Sequence, residues 1–333
     1  MNKLATIETL HSVSVHGNAD NLELAKVLGF QVVTKKGDFT EGQKVIFIWP
    51  DTIVQPADWN RFLDKYNENK PIRIKSCKLR GQFSTGLVLP VTVLNDYQGV
   101  IEDGHEVADY LGVTKYVKDD GNLCNGESAG AFPSHLISKT DEDLAQSSPQ
   151  VYKEFLGKPC YLTQKIDGQS LTLISYNGEI TVCSRNQMIK EGESKFWRTV
   201  RKYDLIEKLR GLNVAIQAEQ FGHGIQGNPY GLPVNEINLM VFNVKNLDTG
   251  EFMGLVESEH FCDSLKIPHV LLLQNFVFDE NTAFDSLQVL ADSQKYPNGN
   301  HAEGIVLRPC EPCFSPTLGR MLSVKFINRN YKD

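Results

Sequence analysis

A lysine and an aspartate lie at the end of an apolar segment near the middle of the chain. Residues 161–170 read YLTQKIDGQS, with Lys165 and Asp167 two positions apart before Gly168. Because side chains alternate along a strand, both charged groups are predicted to face one cleft. A lysine amine becomes a nucleophile when its pKa falls from about 10.4 towards neutrality through desolvation or nearby cations. A surface ion pair at a strand end is the alternative interpretation.

Five further segments follow in order, each on or beside a predicted strand. They are Ser184-Arg185-Asn186, Ala218–Gly222 (AEQFG), Val241–Val244 (VFNV), Glu303–Arg308 (EGIVLR) and Ser323–Phe326 (SVKF). Each alone is compatible with ordinary core, but an ordered set of six has a much lower chance of arising at random. The set resembles the nucleotidyl-transfer motifs of the covalent nucleotidyltransferases, the superfamily of polynucleotide ligases and mRNA capping enzymes.

Two features distinguish families within that superfamily. DNA ligases and capping enzymes typically have an arginine five residues after the lysine, where this chain has Ser170, and a barrel after the catalytic domain. Here only eight residues follow Lys325, and a barrel-like segment precedes the catalytic lysine. This order resembles the RNA ligase 5 family of Deinococcus and Naegleria type. The stretches Arg80–Leu87 and Phe132–Glu142, which ends in KTDE, also resemble that family.

The resemblance implies a role for each motif residue. Lys165 would attack the α-phosphorus of ATP to form lysyl-AMP. Arg185 and Glu219 would hold the ribose, and Phe242 would stack on adenine. The implied catalytic residues are Lys165, Asp167, Glu303 and Lys325, of which Asp167 and Glu303 would lie at a Mg²⁺ or Mn²⁺ ion. The implied nucleotide-binding residues are Gln164, Lys165, Ile166, Arg185, Asn186, Glu219, Phe242 and Lys325.

Two motif positions depart from the family pattern. Ser323 stands where the last motif commonly has the first of two lysines, so neutralisation of the α-phosphate is expected to depend more on Lys325 and the metal. Asn243 stands where an acidic residue often follows the aromatic residue.

The fold class implied by the resemblance is α+β, with an N-terminal OB-like β-barrel and a mixed α/β nucleotidyltransferase (ATP-grasp-like ligase) domain. Short apolar segments separated by turns in the first ~95 residues independently indicate a small barrel. A polar, Gly-rich stretch without periodicity, residues 118–130, indicates a domain boundary. We therefore predict an OB-like nucleic-acid-binding domain over 1–115, a linker over 116–130 and a nucleotidyltransferase domain over 131–333.

Two local patterns in the second half predict individual elements. Residues 171–183 are predicted to form a β-hairpin, because Asn177-Gly178 is the preferred pair for a two-residue turn. Residues 194–209 have apolar positions at helical spacing, which predicts one helix with Ser194 as its N-cap.

Basic residues are concentrated in the stretch 70–80, KPIRIKSCKLR, which contains no acidic residue. The net charge of −7 argues against indiscriminate binding to a polyanion, although a local basic patch can still bind one. In a barrel type that commonly binds oligonucleotides, the stretch predicts nucleic-acid contacts through Arg73, Lys75, Lys78 and Arg80. A solvated surface is the alternative interpretation.

The composition is typical of a globular protein, with 41% hydrophobic and 23% charged residues among 333. No apolar run approaches the ~18 residues that a membrane helix needs, and the N-terminus lacks the apolar core of a signal peptide. We expect a soluble, intracellular monomer that does not bind membranes, with the choice between cytoplasm and nucleus open.

The predicted activity is that of an ATP-dependent RNA ligase, which seals 3′-hydroxyl and 5′-phosphate ends through lysyl-AMP and a 5′-adenylylated polynucleotide. The cofactors would be ATP and Mg²⁺ or Mn²⁺, and the partner RNA, as a nicked duplex with an RNA 3′-hydroxyl end. One alternative is a DNA ligase or an mRNA capping guanylyltransferase-like enzyme with the same lysine chemistry. Another is a non-catalytic RNA-binding protein built on the barrel.

Overall fold

The computed structural model describes residues 3–63, 70–116, 127–140 and 142–331. The chain divides into two compact units, residues 1–119 with 146–150 and residues 120–145 with 151–333. Within the predicted linker 116–130, residues 117–126 lie outside the described part of the chain, as does Asp141 of the KTDE stretch. Ser128–Ala131, at the end of that predicted linker, form a strand that pairs within the second unit.

The first unit consists mainly of short strands. These are β1 (Ala5–Thr9), β2 (Ser12–Val15), β3 (Leu22–Val27), β4 (Phe30–Lys35), β5 (Lys44–Ile48), β6 (Thr52–Val54), β7 (Ile72–Ile74), β8 (Cys77–Leu79), β9 (Gln82–Ser84), β10 (Leu87–Pro90) and β11 (Val113–Lys115). Its helical segments are the 3₁₀ helices Asp58–Leu63 and Val91–Leu94 and the short helix α1 (Ala108–Leu111). The strands form antiparallel sheets with the orders β1-β5-β10, β2-β3-β4, β11-β6-β7 and β8-β9.

Strand β5 lies at the centre of this unit. Ile46 and Ile48 pack into one apolar cluster, whereas Val45 and Phe47 pack into another. Because successive side chains of a strand point to opposite faces, both faces of β5 are buried. The short apolar segments in the first ~95 residues thus form strands, as expected for a small barrel.

The second unit contains larger sheets and longer helices. Its strands are β12 (Ser128–Ala131), β13 (Asp143–Leu144), β14 (Pro159–Lys165), β15 (Gln169–Tyr176), β16 (Glu179–Cys183), β17 (Gln187–Ile189), β18 (Val214–Gly222), β19 (Ile237–Asn246), β20 (Leu272–Val277), β21 (Gly304–Pro309), β22 (Phe314–Ser315), β23 (Arg320–Met321) and β24 (Val324–Ile327). Its helices are α2 (Tyr152–Phe155), α3 (Lys195–Lys202), α4 (Leu205–Leu209), α5 (Leu255–Ser264) and α6 (Phe284–Ser293). Two 3₁₀ turns, Ala145–Ser147 and Pro149–Val151, overlap the short segment 146–150 that is assigned to the first unit. Within the described residues, no helix is both long enough and apolar enough to cross a membrane.

Two sheets organise the second unit. One has the order β12-β17-β16-β15-β18-β19, and the other has the order β13-β24-β21-β14-β20. Helices α3, α4 and α5 pack on the six-stranded sheet around Trp197, Leu209 and Cys262. Helices α2 and α6 pack on the five-stranded sheet around Phe155 and Leu287. Each sheet therefore has its own apolar core.

The predicted hairpin is confirmed. β15 and β16 pair through Tyr176 and Glu179, and both turn residues, Asn177 and Gly178, have positive φ angles of 51° and 81°. Positive φ at both central positions is the geometry that favours Asn-Gly.

The single predicted helix over 194–209 is wrong, although its N-cap is confirmed. The hydroxyl of Ser194 accepts a hydrogen bond from the Trp197 N–H at 3.3 Å. Asp204, with a φ of 53°, then separates α3 from α4. Val200 and Leu205 on either side of the break both reach the same core, which explains why the apolar spacing continues across it.

Candidate active site

Lys165 is the last residue of β14, a strand flanked on both sides by others of the five-stranded sheet. Its register partner is Gly304, so Glu303 lies just beyond the pair. The Lys165 Nζ donates a hydrogen bond to the Glu303 Oε2 at 2.9 Å, and each side chain is only 18% exposed. The sheet register therefore creates a buried ion pair between residues far apart in the sequence.

Lys165 lines a cavity of about 250 Å³ to which both sheets contribute. Its lining includes Thr140, Glu142, Thr163, Gln164, Lys165, Ile166, Gly168, Gln169, Ser170, Arg185, Glu219, Gln226, Phe242, Val270, Val306, Arg308 and Lys325. Seven of the predicted nucleotide-binding residues line it: Gln164, Lys165, Ile166, Arg185, Glu219, Phe242 and Lys325.

The eighth, Asn186, lines a neighbouring cavity with Lys139 and Ser134. Its backbone carbonyl accepts a hydrogen bond from the Phe132 N–H at 3.3 Å. Asn186 therefore connects the loop after β16 to the segment that precedes the catalytic sheet.

The surroundings of Lys165 favour its charged form. Burial lowers the pKa of Lys165, but the carboxylates of Glu303, Glu142 and Glu219 outweigh burial and raise the pKa above its usual value. Attack by the amine therefore requires that the effect of these carboxylates be offset.

Glu219, near the end of β18, shows the complementary effect. Burial, together with the neighbouring carboxylates of Glu303, Glu142 and Asp167, raises its pKa to about 8, although Lys165 acts in the opposite direction. Burial and neighbouring carboxylates therefore both favour the protonated form of Glu219.

A second ion pair lies beside the first. Arg308 Nη2 donates to the Glu142 Oε1 at 2.6 Å, and the guanidinium lies 5.6 Å from the centre of the Phe242 ring. Burial opposes ionisation of Glu142, but the charges of Arg308, Lys165 and Lys325 lower its pKa below the usual value. Sequence reasoning gave neither Glu142 nor Arg308 a role, although both stand in the segments that carried the resemblance.

Asp167 lies beside the cavity rather than among the residues that line it. Its carboxylate accepts a hydrogen bond from the Tyr331 hydroxyl, and its backbone N–H donates to the Tyr230 hydroxyl at 3.3 Å. Because β14 ends at Lys165, strand alternation does not continue to Asp167. At Gly168 the chain passes so close to β18 that an added Cβ would lie 2.3 Å from the Gln220 carbonyl oxygen.

The two departures from the motif pattern have different surroundings. The Asn243 amide donates to the Gln217 Oε1 at 3.0 Å. The Ser323 hydroxyl is buried and has no hydrogen-bond partner among the described residues.

The carboxylates around Lys165 fit a hard divalent cation. Oxygen ligands are those that Mg²⁺ prefers, and a cation would favour the ionised form of Glu219, whose pKa burial and neighbouring carboxylates raise to about 8. Within the described residues, no group of three or more acidic, histidine or cysteine side chains is already arranged as a metal site. Of the two predicted metal residues, Glu303 lies at the Lys165 amine and Asp167 is held by Tyr331, and Glu219 is a further candidate.

The predicted nucleic-acid-binding residues all lie exposed in the first unit. Arg73 donates to Asp51 Oδ1 at 3.1 Å, and its guanidinium lies 3.7 Å from the centre of the Tyr116 ring. Lys75, Lys78 and Arg80 lie next to or within the β8–β9 hairpin. All four basic side chains are therefore presented on the surface of the first unit.

Comparisons with known proteins agree with this geometry. A family model described as RNA ligase matches residues 158–325, and one described as an OB-fold domain matches residues 4–91. No curated protein sequence matches the chain.

Solved structures of a Naegleria gruberi RNA ligase are similar over nearly the whole length. The complex with PPi shares 29% identity at a TM-score of 0.74, covering 98% of this chain and 97% of that one. A lysine-to-alanine variant with ATP and Mn and a glutamate-to-alanine variant with AMP and Mn each share 28% identity over the same fractions, at TM-scores of 0.77 and 0.76. The predicted fold class, an N-terminal OB-fold followed by a nucleotidyltransferase domain, is confirmed. By the match of its catalytic unit, the chain belongs to the RNA ligase family.

Proposed function

We propose that this RNA ligase uses ATP and a divalent cation to join a 3′-hydroxyl end to a 5′-phosphate end, with Lys165 as its nucleophile. The observation that carries the proposal is the largely buried Lys165–Glu303 ion pair at 2.9 Å, whose lysine lines a cavity with Phe242, Arg185 and Lys325. The presence of ATP, AMP, PPi and Mn in structures of the Naegleria ligase supports it.

In the first step, the Lys165 Nζ attacks the α-phosphorus of ATP. A P–N bond forms, the bond from the α-phosphorus to the bridging oxygen breaks, pyrophosphate leaves, and the attacking nitrogen loses a proton. Lys325 and Arg308 provide positive charge on the cavity wall for the phosphates. Phe242, whose ring faces the Arg308 guanidinium, provides a flat apolar surface for adenine.

The attack requires the neutral amine of Lys165. Neighbouring carboxylates, with Glu303 foremost, favour the ammonium form, whereas burial favours the neutral amine. Glu303 and Glu219 would hold a divalent cation, which would supply positive charge for the phosphates. Burial of Lys165 acts in the direction that the attack requires, because it disfavours the ammonium form.

In the later steps, AMP passes to the 5′-phosphate of the polynucleotide, and the 3′-hydroxyl attacks this activated end and displaces AMP. The proposed substrate is a nicked duplex with an RNA 3′-hydroxyl, sealed by a monomer. The exposed Lys75, Lys78 and Arg80 of the first unit would contact its phosphates.

The first experiment tests the covalent step. The wild-type protein is incubated with ATP or GTP labelled at the α-phosphate, then denatured, and the protein-bound label is counted. We expect label from ATP and a loss of at least a hundredfold in both Lys165→Ala and Lys165→Arg, because arginine is too basic to attack. Lys153→Ala, at an exposed lysine of α2, serves as the control and should retain full labelling.

Each contrary result favours a stated alternative. Label from GTP rather than ATP would indicate a guanylyltransferase, and no label with either nucleotide would indicate a non-catalytic RNA-binding protein. Full labelling of Lys165→Ala would refute the assignment of the nucleophile.

The second experiment tests the substrate. Sealing is compared on nicked duplexes whose 3′ and 5′ sides are independently RNA or DNA. We expect sealing to require RNA at the 3′ side. Equal sealing of the all-DNA nick would instead favour a DNA ligase.

A further inference from the structure

Two tyrosines, the buried Tyr296 and the partly buried Tyr230, connect the backbone of the nucleophile loop to the backbone of the carboxylate that pairs with the nucleophile. The N–H of Asp167 donates to the Tyr230 hydroxyl at 3.3 Å, and the N–H of Glu303 donates to the Tyr296 hydroxyl at 3.1 Å. The two rings stack with their centres 4.0 Å apart. A chain of hydrogen-bonded and stacked groups therefore runs from Asp167 to Glu303.

A third tyrosine holds the side chain of Asp167. The Tyr331 hydroxyl donates to the Asp167 carboxylate. The turn that carries Tyr331 is fixed at its start, where the Asn328 N–H donates to the Glu303 carbonyl at 2.9 Å. Next to it, Arg329 Nε donates to the Asp292 Oδ2 at 2.7 Å. The peptide groups on both sides of Glu303 are thus held, one by Tyr296 and the other by Asn328.

The loops that carry the first two tyrosines are themselves clamped. Tyr230 lies between the rings of Phe221, at 4.2 Å, and Tyr296. The side-chain amides of Asn298 and Asn300 both donate to the Pro229 carbonyl, each at 2.9 Å. Phenylalanine would stack equally well in this arrangement, so packing alone does not explain the hydroxyl groups. The hydroxyl groups of Tyr230 and Tyr296 accept the hydrogen bonds of the Asp167 and Glu303 N–H groups.

We propose that Tyr230, Tyr296 and Tyr331 are positioning residues that fix Asp167 and Glu303 relative to the Lys165 amine. This set is called the tyrosine bridge below. The inference rests on the proposed function, because it assigns the bridge to the covalent step. A displacement of about 1 Å in a reacting group can cost about a hundredfold in rate, so loss of one hydroxyl has a measurable effect.

The test removes single hydroxyls in the full-length protein. The rate constant and the ATP KM for lysyl-AMP formation are measured for Tyr230→Phe, Tyr296→Phe and Tyr331→Phe. We expect a fall of about tenfold in the rate constant at saturating ATP with KM within twofold of the wild type, since the stacked rings and the nucleotide contacts remain. Tyr203→Phe is the matched control, because it removes a hydroxyl that donates to Asn238 on β19. Its rate constant for lysyl-AMP formation should stay within twofold of the wild-type value.

A double variant separates positioning from general loosening. If Tyr230 and Tyr296 act as one chain, Tyr230→Phe/Tyr296→Phe should lose little more than the worse single variant, about tenfold. If the two hydroxyls acted independently, the two tenfold losses in rate constant would multiply to about a hundredfold. That result would overturn the proposal that they act as one bridge. The melting temperature of each variant is recorded, and Tyr331→Phe, at a partly exposed turn, keeps the test valid if a buried variant folds poorly.

The outcomes for the bridge and for the proposed function are distinguishable. Absence of label in the wild type would refute the proposed function, and the catalytic role of the bridge with it. A labelled wild type with all three single variants within twofold would overturn the bridge alone. Losses confined to KM would also overturn it, because they would indicate nucleotide binding rather than positioning.

Discussion

Glu219 makes the ligand-free site sensitive to pH. Its pKa is about 8 in the folded protein, well above the usual value of 4.5, so the folded state holds a proton that the unfolded state releases. The stabilising effect is complete below pH 4.5 and is lost progressively as the pH rises to about 8. Between these values the free energy of unfolding should fall by about 1.4 kcal/mol per pH unit from this group.

This dependence is measurable as a melting temperature. In buffer with EDTA and without nucleotide, the wild-type melting temperature should fall between pH 5 and 8 more steeply than that of Glu219→Gln, which carries no titrating group there. Addition of Mn²⁺ at pH 8 should raise the wild-type value more than that of the variant. Parallel pH curves for the two proteins would contradict the assigned pKa.

The motif that carries the proposed nucleophile could be found in the sequence, but the charges around its amine could not. Lys165 stands in a recognisable motif. The three carboxylates that raise its pKa come from Glu142, Glu219 and Glu303, which only the folded sheets bring together. The tyrosine bridge could not be predicted from the sequence, because three tyrosines spread over about a hundred residues form no recognisable pattern.

At the scale of elements, the turn after β14 determines where the catalytic loop lies. An added Cβ on Gly168 would lie 2.3 Å from the Gln220 carbonyl oxygen and 2.9 Å from the Glu219 Cγ. Gly168→Ala must therefore push the loop away from β18 and shift Asp167. We expect adenylylation to fall by about a hundredfold. The covalent-label assay measures this loss.

Gly192→Ala provides the comparison for that variant. Gly192 has open space around its ideal Cβ and no positive φ angle, so the same chemical change should leave labelling within twofold. If Gly168→Ala also labelled normally, the close approach of loop and strand would have no catalytic importance.

Local elements were more predictable than their arrangement. The Asn177-Gly178 hairpin depends on two adjacent residues, and the structure shows it as predicted. The break at Asp204 could not be predicted, because apolar spacing is the same whether one helix or two bury those side chains. Likewise, the placement of β14 between β20 and β21 depends on pairings across more than a hundred residues.

At the scale of the whole molecule, we assign lysyl-AMP formation to the second unit and nucleic-acid binding to the first. The proposed catalytic residues all belong to the second unit, and the exposed basic residues Lys75, Lys78 and Arg80 belong to the first. The hairpin that carries them is attached to the barrel by a contact between the His16 Nε2 and the Leu79 carbonyl at 3.2 Å. The basic stretch could be predicted from the sequence, but the pairing of Arg73 with Asp51 could not.

This division predicts that nucleic-acid binding and lysyl-AMP formation can be separated. Neutralising Lys75, Lys78 and Arg80 to glutamine leaves the Arg73–Asp51 contact intact. Binding to a nicked duplex should weaken, and the slope of log affinity against log salt should decrease by about one for each phosphate that the variant no longer neutralises. Adenylylation with ATP alone should stay within twofold, because none of the three residues lines the nucleotide cavity.

A charge-matched control distinguishes direct phosphate binding from a change in net charge. Lys26, Lys35 and Lys36 are also exposed in the first unit, on β3, β4 and the turn that follows, and their replacement by glutamine changes the net charge equally. If the basic stretch binds phosphates directly, only the first triple variant should slow the sealing of a pre-adenylylated nick. Equal losses in both variants would show that net charge alone is responsible. Unchanged sealing by the first variant across a range of salt would show that its residues are only a solvated surface, since removal of a cation bound to a phosphate must alter the salt dependence.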